Sequence, residues 1–162
     1  MSEILCVVEI PKGSRNKYEW SPEHGRFLFD RFLSSSVVFP TEYGFVPETD
    51  SGDGDPLDVL VAVSEPTFPG CGVVARPVAV LWLVDQGERE PKVLCVPCED
   101  PNWNHIDRLE DLPQQLRDEI AHFFSIYKQP EGHAVRIEGW REREEALAVI
   151  DASQTRYRER DA

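Results

Sequence analysis

Hydrophobic and polar positions divide the chain into a long strand-patterned part and a shorter helical end. Ile4-Leu5-Cys6-Val7-Val8-Glu9-Ile10 has the apolar, β-branched character of a strand and stops at the turn cluster Pro11-Lys12-Gly13-Ser14. Lys17 to Trp20 and Arg26 to Phe32 flank Ser21-Pro22-Glu23-His24-Gly25, which predicts a hairpin. Alternation in its first arm places Lys17 and Glu19 on one face and Tyr18 and Trp20 on the other. Phe39 to Pro47, aromatic and punctuated by prolines, predicts an irregular connection. Leu57 to Val63 predicts a buried strand, and the apolar runs Val73 to Val84 and Val93 to Pro97 predict two more, joined by a polar loop over 85–92.

The period then changes. Leu112, Leu116, Ile120, Phe123, Phe124 and Tyr127 recur every three or four residues, so 112–128 is expected to be an amphipathic helix with Pro113 in its first turn. Gln129-Pro130-Glu131-Gly132 ends it, and 133–140 alternates as a further strand. Arg141 to Arg160 predicts a charged helix that turns Ala146, Leu147, Ile150 and Tyr157 inward. Without repeats, low-complexity tracts or a linker-like break, the expectation is one mainly β (α+β) domain over 1–162 with two main α-helices.

Composition narrows the function. A net charge of −13, from 30 acidic and 17 basic residues, argues against a nucleic-acid or anionic-membrane partner. The longest apolar run, Pro77 to Val84, is too short to span a bilayer, and no secretory signal is visible, so a cytoplasmic protein is expected. Cys6, Cys71, Cys95 and Cys98 are too scattered for a disulfide framework. Cys95-Val96-Pro97-Cys98 lacks the second C-x-x-C of a zinc site and is expected to supply core cysteines.

The informative stretch is Asp53-Gly54-Asp55-Pro56-Leu57-Asp58. It places three carboxylates within six residues, and no Lys, Arg or His occurs between Phe32 and Ala75. Like charges about 4 Å apart repel by roughly 4 kcal/mol at an effective dielectric near 20, so a compact arrangement calls for a counter-charge. Because the strand from Leu57 fixes Asp58 at the edge of a core, a bound cation is a better candidate than bulk water. Oxygen ligands suit Mg²⁺, Mn²⁺ or Ca²⁺. An EF-hand starting at Asp53 would need Gly at its sixth position and Glu at its twelfth, where Asp58 and Ser64 stand. Lys17, Arg31, Lys92 and Lys128 come from four separate segments and, with a carboxylate-bound metal, would hold a small polyphosphate.

Glu9-Ile10-Pro11-Lys12-Gly13 through Lys17-Tyr18-Glu19, Asp30-Arg31, Tyr43-Gly44-Phe45, Asp53-Gly54-Asp55-Pro56-Leu57-Asp58-Val59, Asp85 through Lys92 and His122-Phe123-Phe124 with Tyr127-Lys128 together resemble the family I soluble inorganic pyrophosphatases, in order and spacing, over about 7–157. The resemblance is greatest to the short bacterial, actinobacterial-like members. It implies a small OB-like five-stranded β-barrel with flanking strands, a hexameric assembly, and hydrolysis of pyrophosphate to two orthophosphates by a multi-Mg²⁺ mechanism with a metal-bridged water as nucleophile. Mn²⁺ is a possible substitute.

By the same resemblance, Asp53 and Asp58 bind metal, Asp85 and Glu90 hold further metal brought with the substrate, and Glu9 and Glu19 act through metal or its water. Asp55 is the general base. Arg31, Tyr127 and Lys128 grip one phosphate, and Lys17, Tyr43 and Lys92 serve the other. Three positions depart from the family pattern: Phe39 in place of Tyr, Glu90 in place of Asp, and His133 in place of a basic residue. The alternative is a catalytically weakened phosphate- or nucleotide-binding paralogue that keeps the fold.

Overall fold

In a computed structural model, residues 2–160 are described. The strands are β1 (Ile4–Ile10), β2 (Asn16–Ser21), β3 (Arg26–Phe32), β4 (Glu42–Val46), β5 (Leu57–Val61), β6 (Gly72–Asp85), β7 (Glu88–Pro97) and β8 (Val135–Glu142). The helices are α1 (Gln114–Ile126) and α2 (Arg143–Arg160). No helix among the described residues is long and apolar enough to cross a membrane.

The main sheet runs β1-β4-β5-β7-β6-β8, and an additional pairing of β1 with β6 closes its first five strands on themselves. This is the expected five-stranded barrel, with β8 flanking it and β2–β3 forming a separate ribbon. All five strands of the barrel contribute to one buried apolar cluster, through Cys6, Val46, Val59, Val61, Ala75, Val80, Val93 and Cys95, and Ala146 and Ile150 of α2 join it. A second cluster forms where Ile120, Phe123 and Phe124 of α1 meet Ile10, Phe39, Leu60, Leu81 and Leu94. The predicted 3.6-residue stripe of α1 is therefore its buried face.

Several predicted boundaries shift, among them those of the last strand, now Val135–Glu142, and of the last helix, which starts at Arg143. The segment expected to be an irregular connection contains β4, which pairs with both β1 and β5. Gly44 is needed there because a Cβ at this position would lie 1.9 Å from the Val7 carbonyl oxygen. The polar loop expected over 85–92 shrinks to the tip Gln86-Gly87, and β6 and β7 pair up to Asp85↔Glu88. Both tip residues have positive φ, 54° and 85°, as the primed turns that match strand twist require. Pro113 precedes the first helical residue of α1 instead of lying in its first turn. The four cysteines are free thiols, with Cys6 and Cys95 buried.

Candidate active site

β4, β5, β7 and β6 are neighbours around the barrel, and each carries one candidate side chain or more to the same end. The parallel register Val59↔Val93 brings Asp58 level with Lys92. Lys92 Nζ lies 2.6 Å from Asp58 Oδ2, 3.0 Å from Glu90 Oε2 and 3.0 Å from the Tyr43 hydroxyl. Glu90 and Lys92 share a face of β7 because strand side chains alternate. Asp85 ends β6, and Lys128, just past α1, reaches it at 2.5 Å.

The ribbon supplies the opposite wall. Lys17 pairs with Arg31 across β2 and β3, but the next pair is Tyr18↔Phe29, so Asp30 is the extra residue of a bulge. Its carboxylate bridges both cations, 3.1 Å from Lys17 Nζ and 2.7 Å from Arg31 Nη1. Glu131, in the turn after α1, accepts Arg31 from the other side at 3.1 Å. Asp30 and Glu131 were not among the sequence candidates as ion-pair partners. The signal for Asp30 was present, since two cations opposite one another on a ribbon require an anion between them.

All the sequence candidates except Glu9 and Glu19 line one cleft of about 820 Å³. Glu9 stands behind it, its carboxylate accepting the Trp20 backbone N–H at 2.9 Å. Burial, with Asp58 and Glu19 nearby, pushes its carboxyl up to about 7 despite that hydrogen bond and Lys17. Asp55 is raised by partial burial and by the charges of Asp53, Asp58, Glu19 and Asp50. Burial alone would lower the Lys92 ammonium, but Asp58, Tyr43 and Glu90 outweigh it and hold Lys92 charged. Burial raises the Tyr43 and Tyr127 phenols, so both remain hydrogen-bond donors.

Among the described residues, no three Asp, Glu, His or Cys side chains group closely enough to hold a metal ion as they stand. Lys92 takes the carboxylates of Asp58 and Glu90, and Lys128 takes one oxygen of Asp85. The donor set nevertheless fits a hard divalent cation. Every donor is an oxygen, and Asp85 Oδ1 is buried without a hydrogen-bond partner.

Phe39 does not line the cleft. Its ring is buried against Phe123 and Tyr43, with centroids 4.6 and 5.6 Å away, so this departure falls on the packing beneath the site. His133 donates its backbone N–H to the Lys128 carbonyl at 3.2 Å and belongs to the turn that sets Lys128.

A barrel end where paired carboxylates face lysines and an arginine defines a site for a phosphate compound carried with divalent metal. A family model described as inorganic pyrophosphatase matches residues 6–158. The inorganic pyrophosphatase of Methanosarcina mazei is 49% identical over 158 residues, covering 97% of this chain and 94% of that protein. That of Leifsonia xyli subsp. xyli is 48% identical over 153 residues, covering 94% of each. Among solved structures, the inorganic pyrophosphatase of Thermus thermophilus superposes with a TM-score of 0.93 at 40% identity, covering 96% of this chain and 91% of that one. The chain belongs to the inorganic pyrophosphatase family.

Proposed function

We propose that the chain, acting as one domain over 1–162, hydrolyses inorganic pyrophosphate to two orthophosphates with Mg²⁺ as its cofactor and Mn²⁺ as a possible substitute. The observation that carries this reading is the joint lining of one cleft by the carboxylates Asp53, Asp55, Asp58, Asp85 and Glu90 and the cations Lys17, Arg31, Lys92 and Lys128. In this reading Asp53 and Asp58 hold one cation and Asp85 and Glu90 hold cations that arrive with the substrate. Glu9 and Glu19 act on the metals through water. Bound divalent cations would lower the pKa of water and neutralise phosphate oxygens.

Asp55 takes the proton of the attacking water, a role for which its raised proton affinity suits it. As the water oxygen bonds to one phosphorus, the bridging P–O bond breaks and its electron pair leaves with the second phosphate. Arg31, Tyr127 and Lys128 grip one phosphate, and Lys17, Tyr43 and Lys92 the other. These donors stabilise the charge that grows on the departing oxygen. Until phosphate arrives, Asp30, Glu131, Asp58 and Asp85 keep the four cations paired and aimed at the cleft.

In the ribbon Phe29 and Phe32 are 60 and 54% exposed and Trp20 and Leu28 are also exposed, and Phe68, outside the ribbon, is 63% exposed. Apolar side chains of that size support a homo-oligomer, and the hexamer that the family resemblance implies is the assembly proposed. The cytoplasmic location expected from the sequence goes with four free thiols.

Phosphate release from pyrophosphate by the purified chain, with and without Mg²⁺ or Mn²⁺, is the deciding experiment. Metal-dependent turnover is expected. Binding of phosphate without turnover under either metal would overturn this function in favour of the phosphate- or nucleotide-binding paralogue.

A further inference from the structure

The loop over 47–56 carries Asp53 and Asp55 but contains no strand or helix of its own. Gly52 and Gly54 flank Asp53 at φ 107° and 90°, a backbone path that glycine follows without strain. What holds it is Asp50. One carboxylate oxygen accepts the N–H groups of Gly52 and Gly54 at 2.8 and 3.2 Å. Ser51 closes the turn, its N–H bonded to the Asp55 carbonyl at 2.9 Å and its hydroxyl to Asp53 Oδ1 at 2.7 Å.

Asp50 is in turn held from outside the loop, by the far end of α2. Its N–H donates to the Ser153 carbonyl at 2.9 Å, and its own carbonyl accepts Arg156 Nε at 2.9 Å. Arg160 Nη1 lies 3.5 Å from both Asp50 Oδ2 and the Gly54 carbonyl. These bonds span more than 100 residues of sequence. The chain of contacts therefore runs from α2 through Asp50 to the two glycines, and from them to Asp53 and Asp55.

We propose that Arg156, assisted by Arg160, is a positioning residue that sets the metal affinity of the 53–58 carboxylates through Asp50. The proposal rests on the reading of Asp53 as a metal ligand. It predicts an effect opposite in sign to simple electrostatics. Removing a cation close to a divalent-cation site should tighten metal binding through reduced repulsion. Loss of the clamp frees the glycine-flanked loop and weakens it, because partners that orient ligands govern affinity from outside the coordination shell.

The test is calorimetric titration of Mg²⁺ into the metal-free full chain for wild type, Arg156→Ala, Arg156→Lys, Arg160→Ala and Asp53→Asn, with thermal unfolding followed in parallel. Arg156→Ala is expected to raise the Mg²⁺ dissociation constant about tenfold while the unfolding midpoint moves little. Arg156→Lys, which can still offer the carbonyl a donor, recovers part of the loss, and Arg160→Ala gives a smaller loss in the same direction. Unchanged or tighter binding in Arg156→Ala overturns the proposal. Should that variant fail to fold, unchanged binding in both Arg156→Lys and Arg160→Ala overturns it instead. Asp53→Asn separates the two layers. If it binds Mg²⁺ as wild type does, the ligand assignment falls and the proposal with it; if it loses binding while Arg156→Ala does not, only the clamp falls.

Discussion

Lys92 Nζ stands 2.6 Å from Asp58 Oδ2, and the lysine side chain is only 4% exposed while the aspartate keeps 35%. One buried ammonium thereby neutralises a carboxylate at the mouth of the barrel, with Glu90 as its second partner at 3.0 Å. Replacing Lys92 by Met strands both acids. Breaking a fully buried pair costs 3–5 kcal/mol, but the exposure of Asp58 and Glu90 reduces this to about 2 kcal/mol in the metal-free chain. Urea unfolding of Lys92→Met should show that loss, and added Mg²⁺ should offset more of it than in wild type. An equal response to Mg²⁺ in the two proteins would contradict the shared use of these carboxylates.

Asp55→Asn removes the proposed base and leaves a side chain of nearly the same shape. A drop in kcat of about 10²–10⁴ is expected with the unfolding midpoint preserved. Steady-state phosphate release at saturating Mg²⁺ measures it, and full activity would remove Asp55 from the mechanism.

Glu90→Asp tests the departure from the family pattern. Octahedral Mg²⁺ tolerates little error in ligand position, and the extra methylene of Glu90 shifts its carboxylate along the cleft, so the shorter side chain should improve Mg²⁺ affinity about threefold. Rates measured across a Mg²⁺ series decide it. Unchanged half-saturation and unchanged kcat would mean that Glu90 limits nothing.

Glu9 gives the fold a pH dependence. Its carboxyl rises from an ordinary value of 4.5 to about 7 on folding, chiefly through burial. Between those values the folded chain binds more protons than the unfolded one, so this contribution to stability is complete below about 4.5 and is lost as pH rises through about 7. In metal-free protein, the stability of Glu9→Gln relative to wild type should therefore increase over that window. Chemical denaturation at pH 4.5, 6 and 7.5 follows it, and a constant difference would show that Glu9 titrates alike in the folded and unfolded chain.

The order of strands and the two helices were legible because burial imposes periods of 2 and 3.6 residues on the sequence. β4 was not, since Pro40, Pro47 and Gly44 mark loops by ordinary rules. Gly44 is there for a different reason, the close approach of β1. The start of β7 was hidden by its charge: Glu88, Arg89 and Glu90 look like loop residues, but Glu90 is paired with Lys92 and Arg89 stacks on Trp82 while pairing with Glu138. Of the candidate residues, all but Glu9 and Glu19 come together in one cleft. The bulge at Asp30, the Glu131 contact and the hold of α2 on Asp50 depend on register and on tertiary approach, which no local pattern encodes.

The β1–β6 pairing that closes the barrel also governs when the site can exist during folding. Asp58 meets Lys92 only when β5 pairs in parallel with β7 of the β6–β7 hairpin, and this pairing is longer in range, and so slower, than the hairpin itself. Lys128 arrives from the far side of α1 and Arg31 from a ribbon outside the barrel. The cleft is complete only when segments spread from Lys17 to Lys128 have come together. A partly folded molecule therefore holds an incomplete cleft, and the full set of carboxylates and cations assembles only with the native structure.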